Sequence, residues 1–573
     1  MNIELVNKNM SRVLIALSAL TFVPVAFLNL DTHHDGLIIQ TVINLRNAIL
    51  EGGAWPFNQY GSFWIFIFTW GTWPLPDSLL LIGIRIITIF AYWLSGFLLF
   101  KIARGFMNES SSRWVVVYFF LSQPFFGGWN SSFLPWPSAL AMPILLGGTL
   151  IVTRKLDSIN GKKYLSKIDG LHLAFAGLLF AMLYGSRLQI GILGSLVAMI
   201  FLLYSVGIKA SFCFILGNLT ATLVWCLYLQ SNGWLKDSLI DSIQLASTFL
   251  SGNQMVYPKP VATIALSVFI FIVIVALLKL PKELSKRLEY ILVPLLVPIA
   301  VIGINKLRSV QNGQNNLLNY VALLHRKLMA GFLFAALMIV GTFIAVQILS
   351  HLQGRKSSPR VSWLFLCAMS AIGAFQAWPF FDQMHIWWGS VPGVILIVQV
   401  ASKLGENLGI RQTVAGITAF AVLLVMSLPL AAQFMEPRKE LVSFNQNNVY
   451  GKSIYEEQNI ELTKYFQTSM PKGSRVLNLC PNADPFFVDL KYIQVTRFPV
   501  YWLSFSKFSN VQNAFVKNNP DFIVTCKNLY YSADATINYR IMQKNIIEAH
   551  KSNFQLISQY SRNDFNWEIY RKS

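Results

Sequence analysis

Cysteine is rare in this 573-residue chain, five in all, and acidic side chains are scarce, 26 Asp and Glu against 46 Lys and Arg. So few thiols exclude a disulfide-framed scaffold. Charged residues make up only 13% of the chain, about half the share usual in a soluble globular protein, so the bulk of this protein does not face water. The phosphate-cradling signatures are also missing: there is no Walker A loop and no Gly-rich strand-to-helix fingerprint. No internal repeat or low-complexity tract interrupts the sequence.

What fills the chain instead is apolar, 54% hydrophobic and 14% aromatic. Apolar stretches of roughly 17 to 22 residues recur as far as residue 432, each long enough to cross a hydrocarbon core of about 30 Å as a helix. The reading is an α-helical polytopic membrane protein of about 13 spans. From Glu436 on, charge becomes frequent and no such stretch remains, which divides the chain into a membrane domain, 1–435, and a small soluble α/β domain, 436–573. The net charge of +20 does not point to nucleic acid, because most Lys and Arg before the tail sit in short loops between spans, the signal that orients helices in a membrane.

Lys8 and Arg12 precede the first span, 11–30, and place the N-terminus in the cytoplasm; no small-residue cleavage site follows, so the span is read as retained. Further spans are expected at 78–100, 113–127, 135–153, 169–185, 189–206, 212–229, 261–279, 289–305, 328–350, 361–378, 388–402 and 413–432, with the tail outside. Residues 31–77 form a long first outer loop: a helix "GLIIQTVINLRNAILEGG", then an aromatic, proline-broken stretch suited to the membrane interface. A second outer stretch, 230–260, has amphipathic helical spacing in its centre. Lys306, Arg308, Arg326 and Lys327 fall outside against the usual charge bias, which means either a misplaced span or cations that bind lipid phosphate. In the tail, "SRVLNLC" and "DFIVTC" read as buried strands, "NVQNAFVKN" as a helix, and the last residues as a hairpin turning at Asn563 and Asp564. Cys480 and Cys526 end the two strands and are positioned to pair in an oxidising compartment.

The chemistry-rich segment is "NLDTHHDGLIIQ", directly after the first span. Asp31 and Asp35 stand one helical turn apart, with His33 and His34 between them. Taken singly, Asp35 could cap the helix that follows and Asp31 mark the end of the span; together they suit a general base that takes a proton from an attacking hydroxyl while cations hold the leaving group. The imidazoles fit tuning of the carboxylates or contact with a phosphate better than a metal, since adjacent His side chains diverge and no His-x-x-x-His spacing exists. A second outer cluster, Asp382, Gln383 and His385, lies among Trp378, Trp387 and Trp388; it is either a solvated loop in an aromatic belt or part of a sugar or headgroup pocket to which Trp55, Tyr60, Trp129 and Trp136 add. Arg187, near the outer end of its span, is a phosphate ligand, a partner for Asp31 or Asp35, or a snorkelling interfacial cation.

Three features together resemble the GT-C superfamily of integral-membrane glycosyltransferases: "HDG" after the first span, "NQYGS" before the second, and the later "WPFFDQMH". That superfamily includes the protein O-mannosyltransferases and the lipid A aminoarabinose transferase. The resemblance implies transfer of a sugar from a polyprenyl-phosphate carrier to a glycan, lipid or protein acceptor on the outer face of a bacterial cytoplasmic membrane. It further implies inversion at the anomeric carbon, a first-loop carboxylate as base, and no required cofactor. Asp31 inherits the base role by Asp-x-x-His spacing and Asp35 by the "HDG" form, with Asp35 slightly favoured. Arg187, Lys306, Arg308, Arg326 and Lys327 are the candidates for the carrier phosphate. The rival from another class is a glycolipid flippase, for which polar residues should recur through the depth of the spans and two halves should resemble each other.

Overall fold

The computed structural model describes residues 3–20, 22–25, 34–53, 55–56, 61–121, 136–159, 165–251, 361–374, 387–389, 391–396, 398–399, 440–444, 447–451, 464–480, 492–495, 508–526, 533–562 and 565–573. Helices dominate the first half. They are α1 (Ile3–Leu20), α2 (Phe22–Val25), α3 (His34–Glu51), α4 (Phe63–Gly71), α5 (Leu80–Ala103, entered through a 3₁₀ turn at Asp77–Leu79), α6 (Glu109–Leu121), α7 (Pro137–Ile159), α8 (Lys167–Tyr184), α9 (Leu188–Ser205), α10 (Ile208–Ser231), α11 (Leu235–Ser251) and α12 (Val361–Ala374). Five described segments are long and apolar enough to cross a membrane: Asp77–Ala103, Pro137–Ser158, Lys167–Tyr184, Leu188–Ser205 and Ile208–Ser231. These lie where the hydropathy pattern puts them. The first helix is different, since it starts at Ile3 and takes Lys8 and Arg12 into its length. The expected spans between 261 and 350 and at 413–432 lie outside the described residues.

The sorting of side chains shows that the bundle's solvent is lipid. Along α10, Phe212, Leu216, Leu219, Leu223, Val224 and Leu227 are exposed while Asn218 is buried, the reverse of a helix that faces water. Asn218 has company inside. Its Nδ2 donates to the Gly177 carbonyl at 3.1 Å and to Ser195 Oγ at 3.2 Å, and the Tyr184 hydroxyl lies 2.9 Å from both Ser195 Oγ and Asn218 Oδ1. One polar knot thereby joins α8, α9 and α10. The α8–α10 crossing is close because two glycines meet backbone: a Cβ at Gly177 would stand 1.9 Å from the Phe214 carbonyl oxygen, and one at Gly217 1.9 Å from that of Ala174. Small residues at such crossings let helices approach where no hydrophobic effect drives them together.

At one end of the bundle the chain is fastened by charge. Lys155, late in α7, pairs with Asp169 in the first turn of α8, and Ser166 Oγ caps that helix by accepting from the Asp169 N–H. Ser362 at the start of α12 donates to Asp157. The opposite end carries the residues singled out from the sequence.

The tail is an α/β fold. A hairpin, β1 (Glu440–Phe444) and β2 (Asn447–Gly451), precedes a five-stranded sheet of β3 (Arg475–Asn478), β4 (Ile493–Gln494), β5 (Phe522–Cys526), β6 (Phe554–Arg562) and β7 (Phe565–Lys572), with helices α13 (Phe508–Asn518) and α14 (Ala533–His550) between strands. The order is β4-β3-β5-β7-β6; β3 runs parallel to β4 and β5, and β7 antiparallel to β5 and β6. Both faces of the sheet are apolar: Val476, Val524, Trp567 and Ile569 pack under Phe466 and Met470 on one side, Leu477 and Ile523 under Val511, Phe515, Met542 and Ile546 on the other. The strands at 475 and 522, the helix between them and the closing hairpin are as the sequence predicts; α14, the 440–451 hairpin and the short β4 are not among its expectations. Cys480 and Cys526 are both buried and no disulfide joins them in the structure, so the expected pairing is corrected. They are neighbours, since Asn478 pairs with Val524 in register, and they fill the apolar core as thiols.

Candidate active site

The helix predicted after the acidic motif is α3, and it begins at His34, so Asp35 lies inside the first turn, where the helix N-terminus favours an anion. It does not cap the helix. Its carboxylate is fully buried and accepts from Arg85 Nη2 at 2.7 Å; Arg85, in the second turn of α5, is also 0% exposed. A cation within an apolar span is costly unless a counter-charge meets it, and Asp35 is that counter-charge. The sequence reading missed Arg85, although its signal, a lone Arg in "LLIGIRIITIF", was visible. It offered Arg187 as a partner for Asp31 or Asp35; Arg85 is a partner of Asp35 that it did not name.

Arg187 stands at the entrance to α9, 8% exposed. Its Nε donates to Ser138 Oγ at 2.8 Å and its Nη2 donates to the same oxygen, so the starts of α7 and α9 are tied together. The turn that carries it, Gly185-Ser186-Arg187, meets the end of the first loop. Phe63 N–H donates to the Gly185 carbonyl at 2.7 Å. Gly61, at φ +99°, lies so close that a Cβ there would be 2.7 Å from the Gly185 carbonyl carbon. Only glycine fits both the space and the dihedral. Trp225 of α10 donates from Nε1 to Ser62 Oγ at 2.8 Å. The "NQYGS" motif and the "YGSRLQ" turn, far apart in sequence, thus form one junction.

The first loop is folded into the protein. Its aromatic stretch was expected at the membrane interface, but α4 buries Trp64, Ile65, Phe66 and Phe68 in the core, with Trp55 and Phe66 stacked at 6.1 Å and Trp225 edge-on to Phe66 at 4.9 Å. Trp234 ties the start of α11 to the end of α3 by donating to the Gly53 carbonyl at 2.9 Å. Arg46 fixes the far end of the loop, donating to Thr72 Oγ1 at 3.0 Å and to the Leu75 carbonyl and Asp77 Oδ1 at 3.3 Å. Aromatic mass and backbone-directed donors make this segment a rigid part of the bundle. Strand β2 lies against the 3₁₀ turn at Asp77–Leu79 and the start of α5, so the tail's first hairpin is at the same end.

Trp387, Trp388 and Trp136 are likewise core residues. Trp387 stacks on Phe119 at 5.2 Å and meets Tyr92 edge-on at 5.4 Å. The amphipathic stretch expected beyond 230 is α11, and it turns its polar face inward: Ser238 and Asp241 are buried, Leu239 and Ile243 exposed. Asp241 is a second buried carboxylate that the sequence reading passed over, its place on a polar stripe of the helix being the available signal.

Asp31, His33, Tyr60, Lys306, Arg308, Arg326, Lys327, Asp382, Gln383 and His385 lie outside the described residues, as does the side chain of His34. Among the described residues no group of three or more His, Cys, Asp or Glu is placed to hold a metal.

No family model matches the sequence, and no curated protein matches it. Solved structures do. The oligosaccharyltransferase of Archaeoglobus fulgidus, in complex with zinc and sulfate, aligns over 97% of this chain and 72% of its own at 11% identity, with a TM-score of 0.52. The same organism's AglB, in complex with an inhibitory peptide and a dolichol-phosphate, aligns over 99% of this chain and 74% of its own at 11% identity, TM-score 0.50. ArnT of Cupriavidus metallidurans bound to undecaprenyl phosphate covers 97% of both chains at 13% identity, TM-score 0.44. The class is set by the fold: this is a multi-pass α-helical membrane protein whose fold is like that of the Archaeoglobus fulgidus oligosaccharyltransferase.

Proposed function

We propose that the protein is a membrane glycosyltransferase that moves a sugar from a polyprenyl-phosphate donor to a cell-envelope acceptor, a glycan, lipid or protein, at the end of the bundle where the first loop meets the Arg187 turn. The observation that carries this is the convergence of an acidic first-loop helix, a buried guanidinium and a glycine-packed junction at one end of a fold shared with an enzyme solved with a dolichol-phosphate. In this reading Arg187, fixed by Ser138, faces the carrier phosphate, for which a guanidinium fork is suited. Lys306, Arg308, Arg326 and Lys327 add charge from the loop that follows, and His33, His34, Tyr60, Asp382, Gln383 and His385 complete the substrate surface. A first-loop carboxylate, Asp31 or Asp35, takes the acceptor's proton as the acceptor oxygen attacks the anomeric carbon and the lipid phosphate leaves with its bonding electrons, which inverts that carbon. Wherever the first loop and tail are extracytoplasmic and the N-terminus cytoplasmic, this end opens on the outer face of the cytoplasmic membrane. We further read the chain as a membrane domain, 1–435, and a soluble domain, 436–573.

The test is transfer by the full-length protein in liposomes charged with a radiolabelled polyprenyl-phosphate sugar and a lysate-derived acceptor fraction. Label passing from lipid to acceptor supports the enzyme. Label that crosses the bilayer still attached to lipid supports the flippase.

A further inference from the structure

The polar knot of α8, α9 and α10 lies next to the Arg187 turn, and its hydrogens can be counted. Asn218 Nδ2 donates to the Gly177 carbonyl at 3.1 Å and to Ser195 Oγ at 3.2 Å, which fixes the amide and leaves Oδ1 for the Tyr184 hydroxyl, 2.9 Å away. An amide oxygen only accepts, so the single hydrogen of Tyr184 goes there. The Ser195 hydroxyl, 2.9 Å from that of Tyr184, then donates to the tyrosine oxygen. Each of the three side chains donates once and accepts once in a closed cycle, and Asn218 uses its second hydrogen on Gly177.

The cycle sits where the α8–α9 hairpin closes. Tyr184 ends α8, Ser195 lies on α9 and Asn218 on α10. Only the turn Gly185-Ser186-Arg187 separates Tyr184 from α9, and its backbone is bonded on both sides: the Arg187 N–H donates to the Leu183 carbonyl at 2.6 Å, and the Arg187 carbonyl accepts from the Gly191 N–H at 3.0 Å. The tyrosine ring rests on Gly191, where a Cβ would stand 2.5 Å from its Cδ1. A shift of Tyr184 against α9 therefore reaches Arg187 with no slack to absorb it.

We infer that Tyr184 is a positioning residue for Arg187: its hydroxyl, through Ser195 and Asn218, sets the closing of the α8–α9 hairpin and so the place where the guanidinium meets the carrier phosphate. This rests on the glycosyltransferase reading. Small displacements of a binding group cost much of its effect, so the cycle governs donor affinity although it touches no substrate.

The experiment uses full-length protein in liposomes and reads donor KM, acceptor KM and thermal unfolding for the native protein, Tyr184→Phe, Arg187→Lys, their double variant and Ser166→Ala. Phe keeps the ring on Gly191 and removes only the hydroxyl. Ser166→Ala removes the cap at the other end of the same helix, a loss of stability alone, and leaves both KM values native. Tyr184→Phe is expected to raise donor KM about three- to tenfold, the weight of one neutral hydrogen bond, with acceptor KM unchanged. In the Arg187→Lys background the same change should move donor KM by less than about twofold, since residues that act through one group do not add. An equal rise in both backgrounds, or a Tyr184→Phe variant that only unfolds earlier as Ser166→Ala does, overturns the inference. Where Tyr184→Phe does not fold, Ser195→Ala takes its place with the same expectations. If the native protein transfers nothing, or Arg187→Lys keeps the native donor KM, the assignment of Arg187 to the donor fails instead. Tyr184 is then judged by phenylglyoxal modification of Arg187, 8% exposed in the native turn: loosening should speed it about threefold or more, and an unchanged rate overturns the positioning role.

Discussion

The backbone N–H of Phe63 donates to the carbonyl of Gly185 across 2.7 Å, joining the end of the first loop to the turn that carries Arg187. The contact is backbone on backbone, so side-chain changes cannot tune it; only the glycines beside it control how close the segments come. Gly61 at φ +99° is the sharper constraint, since an added Cβ meets the Gly185 carbonyl carbon at 2.7 Å. Gly61→Ala is expected to cost about 1 to 2 kcal/mol from the left-handed backbone alone and to displace the Arg187 turn. Thermal unfolding should fall and donor KM rise, whereas an Ala at the open Gly52 position, strained in dihedral but free of a clash, should move stability alone.

Arg187 gives a second prediction. With Ser138 accepting from both Nε and Nη2, Ser138→Ala removes the acceptor for a charged donor and is expected to cost about 1.5 to 3 kcal/mol. Arg187→Lys keeps the charge but loses the planar fork. Donor KM should rise about tenfold or more in Arg187→Lys, the weight of roughly one charged hydrogen bond, and a titration of transfer rate against donor concentration measures it.

The α8–α10 crossing offers a test that involves no substrate. Gly177→Ala or Gly217→Ala puts a methyl into a carbonyl oxygen 1.9 Å away, so the helices must separate. A loss of about 1 to 3 kcal/mol is expected, the usual cost of overpacking, read as an earlier thermal transition in detergent. The loss should be deeper when Asn218, whose knot spans the same helices, is changed to Leu as well.

His550 predicts how the tail domain responds to acid. Its ring stacks on Phe515 at a centroid distance of 3.6 Å, its Nε2 is 2.9 Å from Gln512 Oε1, and burial lowers its pKa below the ordinary 6.5. The unfolded chain therefore takes up a proton at a higher pH than the folded one. Stability from this residue is whole above about 6.5 and is lost as pH falls from there through the lower folded value. A denaturant series from pH 7.5 to 5 should show the midpoint falling, and His550→Gln should flatten the slope.

The structure also fixes an expected outcome for the thiols. No disulfide joins Cys480 and Cys526 in the structure, so alkylation of the unfolded, unreduced protein should modify both. Labelling only after reduction would restore the disulfide.

How much of this could be read in advance depends on whether a feature is local. Spans such as Leu188–Ser205 and the strands at 475 and 522 declare themselves because hydropathy and period are properties of a short window. The acidic motif and Arg187 declared themselves too, as charge where charge is expensive. Pairing did not. Nothing near Asp35 names Arg85, fifty residues away, and nothing near Gly61 names Gly185; both depend on how helices pack. The first-loop aromatics and Trp387 misled for a related reason: aromatic residues serve the membrane interface and the core equally well, and only the neighbours found on folding, Trp225 and Phe119 among them, decide between the two.

The account stands most directly on one measurement, transfer of labelled sugar from a polyprenyl-phosphate donor by the purified full-length protein in sealed liposomes, native against Arg187→Gln. The account predicts label moving from lipid to acceptor at a rate that Arg187→Gln cuts at least about tenfold. Label that stays on the lipid and appears in the opposite leaflet, with Arg187→Gln indistinguishable from native, would contradict it.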